Sequence, residues 1–202
     1  MTQTLPDLYP QATHRHLGRL MPVGALVPQG VTVHYTADRD LDRTITALAA
    51  RGLGYHLVID RDGAAHQVVP FNGSVWHAGK AVWGSVSPNR GHVSVALLSW
   101  GELEELAPGA YQTWNGKVIP TADVAVRRGA PWDAATAAQE AALVRFLTWA
   151  VKAGGLDPAS ICGHDECAIP HGRKVDPGGT LPWTMEELRA LVAAQASQSP
   201  AS

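Results

Sequence analysis

The most restrictive feature of the sequence is a nearly continuous apolar run, Val93-Ser94-Val95-Ala96-Leu97-Leu98. A short run of this kind is typical of a strand that is buried inside a sheet, since a half-exposed strand would alternate polar and apolar residues. The run therefore predicts a central strand, and the rest of the chain must supply a sheet around it.

The region before this strand combines one strand pattern with one helix pattern. Residues 31–36 are β-branched and aromatic, which predicts a strand that carries His34 near its end. Residues 38–50 repeat leucine and isoleucine on one helical face, and Gly52 can terminate that helix. A strand followed directly by a helix indicates an α/β layer.

Two further segments predict hairpins. Residues 55–59 and 65–69 flank a turn rich in aspartate and glycine. Within residues 101–132, which we interpret as a surface insertion, Asn115-Gly116 separates two strand-like segments and is a strong turn signal.

The C-terminal third predicts two helices. Asp133 can cap a long helix that ends at Gly154-Gly155, and Thr184 with Glu187 forms a capping box for a last helix that runs to about Ala194. The order of these elements predicts an α/β fold with a central mixed β-sheet flanked by helices.

The length of the chain favours a single domain. It has 202 residues, of which 46% are hydrophobic, so one compact core is expected. We divide the chain into an N-terminal arm (1–29), which reads as irregular, one domain (30–196) and a flexible tail (197–202).

Charge and hydropathy exclude several classes of partner. The formal net charge is −2, which argues against broad binding of nucleic acid, and no segment is long and apolar enough to be inserted in a membrane. The first thirty residues lack a basic start followed by an apolar core. This predicts synthesis in the cytoplasm without a signal peptide.

The two cysteines, Cys162 and Cys167, are too few for a disulfide scaffold. Their separation permits a disulfide only if the backbone turns back, so a free pair is favoured.

A metal site is indicated by residues at two distant places in the chain. His34 lies near the end of a buried strand, while His164 and Asp176 lie in a proline- and glycine-rich loop that can bring them together. Two histidines and one carboxylate leave a fourth zinc position open, as in catalytic sites. Cys167 competes with Asp176 as the third ligand, because thiolate is an excellent zinc donor, and chemistry alone leaves that choice open.

Five motifs in register make a family recognisable, and together they cover roughly residues 30–185. The motifs are Val33-His34-Tyr35-Thr36, Tyr55-His56-Leu57-Val58-Ile59-Asp60-Arg61-Asp62-Gly63, Trp76-His77-Ala78-Gly79, Gly163-His164 and Arg173-Lys174-Val175-Asp176-Pro177-Gly178. In these motifs the chain strongly resembles the N-acetylmuramoyl-L-alanine amidases, which include phage endolysins, muropeptide-recycling amidases and peptidoglycan recognition proteins.

The resemblance implies roles for individual residues. By family pattern, His34, His164 and Asp176 are the zinc ligands, which decides against Cys167. Lys174 matches the position where family members place a cation near the reacting carbonyl. Tyr55 matches the tyrosine that several endolysins and recognition proteins hold beside the zinc, and these two residues are the catalytic candidates. Trp76 and His77 are the candidates for the substrate-binding wall of the cleft.

One departure from the pattern concerns the branch of the family. The recycling-type enzymes carry a glutamate in the strand that here reads Val95-Ala96-Leu97, so the matching position is Ala96. The site therefore resembles the tyrosine-dependent branch.

The resemblance implies hydrolysis of the lactyl–L-alanine amide bond of peptidoglycan by a lytic enzyme, an endolysin or autolysin. The substrate would be peptidoglycan or muropeptides, the enzyme a monomer, and its place of action the cell wall after release, or the host periplasm for a phage lysin. The alternatives are a cytosolic recycling amidase, a toxin delivered into rival cells and a peptidoglycan-binding protein without catalysis.

Overall fold

The computed structural model describes residues 4–14, 16 and 18–198. The strands of these residues are β1 (Ala12–Thr13), β2 (Gly24–Ala25), β3 (Gly30–Tyr35), β4 (Leu57–Ile59), β5 (Ala65–Gln67), β6 (Gly73–Ser74), β7 (His92–Leu97), β8 (Glu104–Ala107), β9 (Ala110–Gln112), β10 (Val118–Ile119), β11 (Val124–Arg127), β12 (Ala130–Asp133) and β13 (Ile161–Gly163). The α-helices are α1 (Leu41–Ala50), α2 (Pro88–Gly91), α3 (Ala137–Gly154), α4 (His164–Cys167) and α5 (Met185–Ser197).

A six-stranded sheet organises the molecule, in the order β1-β5-β4-β7-β3-β13. Only β4 and β5 pair antiparallel within it, and the other neighbours are parallel. The strand β7 lies inside the sheet and is buried along its whole length. The predicted single α/β domain with a central mixed sheet is confirmed.

The two faces of the sheet carry different side chains. Val33, Val95 and Leu57 are register partners and belong to the main core, which also contains residues of α3 and α5. Their sequence neighbours His34, Ala96 and Val58 are also register partners and point to the opposite face, because side chains alternate along a strand. Val58 packs there with residues of α1. His34 therefore lies on the α1 side of the sheet.

Local signals account for several of the observed helix ends, although α1 begins at Leu41 and not at the predicted Asp38. The Asp40 side chain accepts a hydrogen bond from the Arg43 amide at the start of α1. The capping box of Thr184 and Glu187 is present, and α5 continues past Ala194 to Ser197. At the end of α3, Gly155 adopts the left-handed conformation with φ of 62°. No helix of the described residues is long and apolar enough to cross a membrane.

The predicted cap at Asp133 is wrong. The helix α3 begins at Ala137, and its cap is a capping box formed by Thr136 and Gln139. Asp133 is fully buried instead, where its carboxylate accepts hydrogen bonds from Arg39 Nε at 2.9 Å and from the Trp100 amide at 2.7 Å. This aspartate thus joins the insertion to the loop that follows β3.

Replacing Asp133 with alanine should lower the free energy of unfolding by about 3 kcal/mol, because Arg39 and Arg61 both lose a buried carboxylate partner and the Trp100 amide loses its acceptor. Urea denaturation of the purified variant measures this change. Glu105→Ala, in an exposed strand of the insertion, is the control and should change stability by less than about 0.5 kcal/mol. Equal stability of the two variants would contradict the anchoring role.

The N-terminal segment differs from the predicted irregular arm. Its strand β1 pairs with β5, its strand β2 pairs with β6, and Leu5, Tyr9 and Leu26 belong to the main core. The described part of this segment is therefore integral to the domain. Of the predicted tail, Ser197 ends α5, and residues 199–202 lie outside the described residues.

The insertion contains the predicted hairpin. The Thr113 amide donates to the Lys117 carbonyl oxygen at 2.9 Å, which closes the Asn115-Gly116 turn between β9 and β10. The strands β8 to β10 form a small sheet, and β11 pairs with β12.

Candidate active site

Two adjacent parallel strands bring the candidate histidines together. His34 is the penultimate residue of β3, and His164 follows β13 directly as the first residue of α4. Because Gly163 is the register partner of Val33, the two imidazoles meet at the same edge of the sheet. Their ring centroids are 4.6 Å apart.

Asp176 joins this pair from the loop after α4. Its Oδ2 atom lies 2.8 Å from His34 Nδ1 and 3.0 Å from His164 Nδ1. All three side chains are buried, and one donor atom from each lies within 4.8 Å of the others. These three residues could hold a metal ion.

The chemistry of this donor set fits a divalent cation. His164 Nε2 donates to the Ala78 carbonyl oxygen at 2.9 Å, since a carbonyl can only accept. The Nδ1 atom of His164 is then the ring nitrogen that faces Asp176, 3.0 Å from its Oδ2 atom. An imidazole nitrogen and a carboxylate oxygen this close together are donors that one divalent cation can share.

Burial and neighbouring side chains determine the protonation states of His34 and Asp176. Burial lowers the pKa of His34 to about 4, against the opposing effect of Asp176, so this imidazole is neutral near pH 7. For Asp176, burial favours the protonated form, but the two neighbouring histidines outweigh that effect and hold its pKa below the usual range. His34 thus offers a neutral nitrogen and Asp176 a carboxylate, which are the forms that bind zinc.

The cluster opens onto a cleft of about 440 Å³. Tyr55 and Lys174, the catalytic candidates, both line it. The Tyr55 ring is 5.0 Å from the His34 ring, between centroids, while Lys174 is an exposed residue of the loop that carries Asp176. Burial, and then the charge of Asp176, raise the pKa of Tyr55, so its phenol keeps its proton.

The two candidates for the substrate-binding wall lie in different places. His77 lines the cleft, and its Nδ1 atom is 3.0 Å from His34 Nε2. Trp76 is 42% exposed with the Arg90 guanidinium 5.6 Å from its ring centroid, and it is absent from the described lining of the cleft. A contact between Trp76 and substrate stays a prediction.

Both cysteines are free and buried. Cys167 Sγ lies 3.7 Å from the backbone oxygen of His164, and it is not part of the group that could hold a metal among the described residues. The geometry therefore favours Asp176 over Cys167 as the third donor.

Two polar residues near the site escaped sequence reasoning. Asn89 Oδ1 accepts hydrogen bonds from the amides of His77 and Ala78, both at 2.9 Å. Arg173 lines the cleft and donates through Nη2 to the Ala78 carbonyl oxygen at 2.9 Å. For Arg173 the only signal was its place beside Lys174, and for Asn89 there was none.

The profile of the N-acetylmuramoyl-L-alanine amidase family matches residues 24–179, which is most of the chain. The chain belongs to this family. The matched segment of the amidase begins inside the predicted N-terminal arm, in agreement with the pairing of β2. None of the curated proteins compared with the amidase matches it.

Solved structures share the fold of the amidase at low sequence identity. A selenomethionine derivative of AmpD is 18% identical with a TM-score of 0.57, over 93% of the amidase and 98% of AmpD. The amidase AmiD from E. coli, in complex with anhydro-N-acetylmuramic acid-L-Ala-D-gamma-Glu-L-Lys, is 20% identical with a TM-score of 0.58, over 94% of the amidase and 65% of AmiD. A mutant endolysin from Bacillus subtilis is 17% identical with a TM-score of 0.52, over 95% of the amidase and 99% of the endolysin.

Proposed function

We propose that this amidase hydrolyses the amide bond between the muramyl lactyl group and L-alanine of the peptidoglycan stem, with zinc as its cofactor. The observation that carries the proposal is the group of His34, His164 and Asp176, of which His164 and Asp176 line a cleft. Family membership supports the substrate class. The substrate named for AmiD contains the same linkage of muramic acid to L-Ala.

His34, His164 and Asp176 would hold the zinc through two imidazole nitrogens and one carboxylate oxygen. Bound zinc supplies a Lewis acid that polarises the amide carbonyl and activates water near pH 7. Three protein donors leave one coordination position open for these roles.

Tyr55 and Lys174 would act on the charge that develops at the carbonyl oxygen. A phenol that keeps its proton can donate a hydrogen bond to an oxyanion, or pass a proton by way of water. Lys174 adds positive charge at the mouth of the same cleft. Electrostatic stabilisation of this kind is usually the largest catalytic contribution.

A lytic role is favoured over muropeptide recycling by the residue beside His34. The register places Ala96 opposite His34, so no carboxylate occupies this position on the α1 side of the sheet. We accordingly propose an endolysin or autolysin that is made in the cytoplasm and acts on the cell wall after release. A monomeric state stays a prediction.

Digestion of purified sacculi tests the proposed bond. Mass spectrometry of the products should identify free stem peptides with an N-terminal L-alanine, together with glycan strands that retain an intact lactyl carboxylate. New reducing ends on the glycan, or cleavage inside the stem, would overturn the proposal. Retention on sacculi without any product would favour the peptidoglycan-binding alternative.

A further inference from the structure

One loop, residues 76–79, contacts the Nε2 atoms of both candidate metal-binding histidines, His34 and His164. His34 Nε2 lies 3.0 Å from His77 Nδ1, and His164 Nε2 lies 2.9 Å from the carbonyl oxygen of Ala78. Adjacent residues of the loop thus contact the two imidazoles on the side opposite Asp176.

The partners of His77 determine which ring nitrogens carry protons. His77 Nε2 lies 3.1 Å from the carbonyl oxygen of Pro88, which can only accept a hydrogen bond, so this nitrogen carries a proton. A neutral His77 then has a bare Nδ1 atom that accepts the proton of His34 Nε2. His34 is left with a bare Nδ1 atom, which is the atom that faces Asp176.

The loop itself is fixed by Asn89, a buried residue of α2. The Asn89 side chain accepts from the amides of His77 and Ala78 and donates to the carbonyl oxygen of Gly79 at 2.7 Å. Three hydrogen bonds to consecutive residues hold the His77 ring at a defined distance from His34. The helix α2 leads directly into the buried strand β7, which connects Asn89 to the central sheet.

We infer that His77 is a positioning residue, which sets the tautomer of His34 so that Nδ1 is free to bind the metal. The inference rests on the zinc site proposed above and replaces the substrate-wall role expected for His77. Some residues form a hydrogen bond to the second ring nitrogen of a metal-binding histidine. Mutation of such a residue typically weakens metal binding by about 10–100-fold.

Amide side chains of two different lengths at position 77 distinguish the loss of a hydrogen bond to His34 from a general effect on folding. Asparagine at position 77 has its amide oxygen at the place of Nδ1 and can still accept from His34. Glutamine places its amide near Nε2, so it can reach Pro88 and not His34. Lys80→Ala, an exposed residue after the same loop, is the control.

The zinc dissociation constant is measured by competition with a chromophoric chelator, starting from metal-free protein whose thermal unfolding is recorded first. We expect His77→Gln and His77→Leu to bind zinc about 10–100-fold more weakly, and His77→Asn and Lys80→Ala to stay within about threefold of the wild type.

Equal affinity of folded His77→Leu and the wild type would overturn the inference and leave the zinc site intact. Equal weakening by His77→Asn and His77→Gln would also overturn it, because position 77 would then matter only for packing. A wild type that binds no zinc would overturn the zinc site and this inference together.

Discussion

Replacing Asp176 with alanine should abolish zinc binding and peptidoglycan hydrolysis together. Its Oδ2 atom contacts Nδ1 of both His34 and His164, so the change removes the only carboxylate of the group and leaves two neutral imidazoles. Loss of a direct donor should weaken zinc binding by far more than the roughly 100-fold found for outer residues. Elemental analysis and turnover of a soluble muropeptide, measured on the same samples, check this result.

Cys167→Ser is the matched control, because it alters the competing donor in the same segment. Its Sγ atom contacts a backbone oxygen and not the ring nitrogens, so zinc content and activity should persist. Chelation of the wild type should abolish activity, and added zinc should restore it. If Cys167→Ser loses the metal while Asp176→Ala retains it, the third ligand is the cysteine.

Elements with a strong local pattern were predictable from the sequence. The buried run of β7, the Asn115-Gly116 turn and the capping box of Thr184 with Glu187 each depend on residues close in the chain, and each is present. Asp133 met the same local criterion as Thr136, but two arginines distant in sequence bind it. The short strands β1 and β2 have too few residues for any periodicity.

The sequence predicted the candidate metal-binding residues, but not the contacts that surrounding residues make with them. His34 lies near the end of a strand that the sequence predicts, whereas β13, which precedes His164, was not predicted. Parallel pairing of β3 with β13 brings the two histidines together. The choice between Asp176 and Cys167 depends on the path of the loop, which residue chemistry does not encode. The contact of His77 with His34 joins residues 43 positions apart, so no local pattern could reveal it.

Tyr55→Phe should keep zinc and lower kcat by roughly 10²-fold or more, with little change in KM. The phenylalanine ring can keep the packing against His34, whose centroid is 5.0 Å away, so the fold and the metal donors should be undisturbed. Only the hydroxyl is lost. A loss confined to kcat is the signature of an interaction made mainly in the transition state.

Ala96→Glu is the informative partner of this variant, because it adds the carboxylate of the recycling-type enzymes. Ala96 is fully buried and opposite His34, so an added carboxylate would be buried near His34, which already contacts the carboxylate of Asp176. Ionising a carboxyl group there costs free energy, so we expect any gain in turnover from Ala96→Glu to be smaller than the loss from Tyr55→Phe.

Both variants are compared by steady-state hydrolysis of a soluble muropeptide, with zinc content measured in parallel. Near-wild-type turnover by zinc-loaded Tyr55→Phe would remove Tyr55 from the mechanism, and Lys174 would then be the remaining candidate for stabilising the oxyanion.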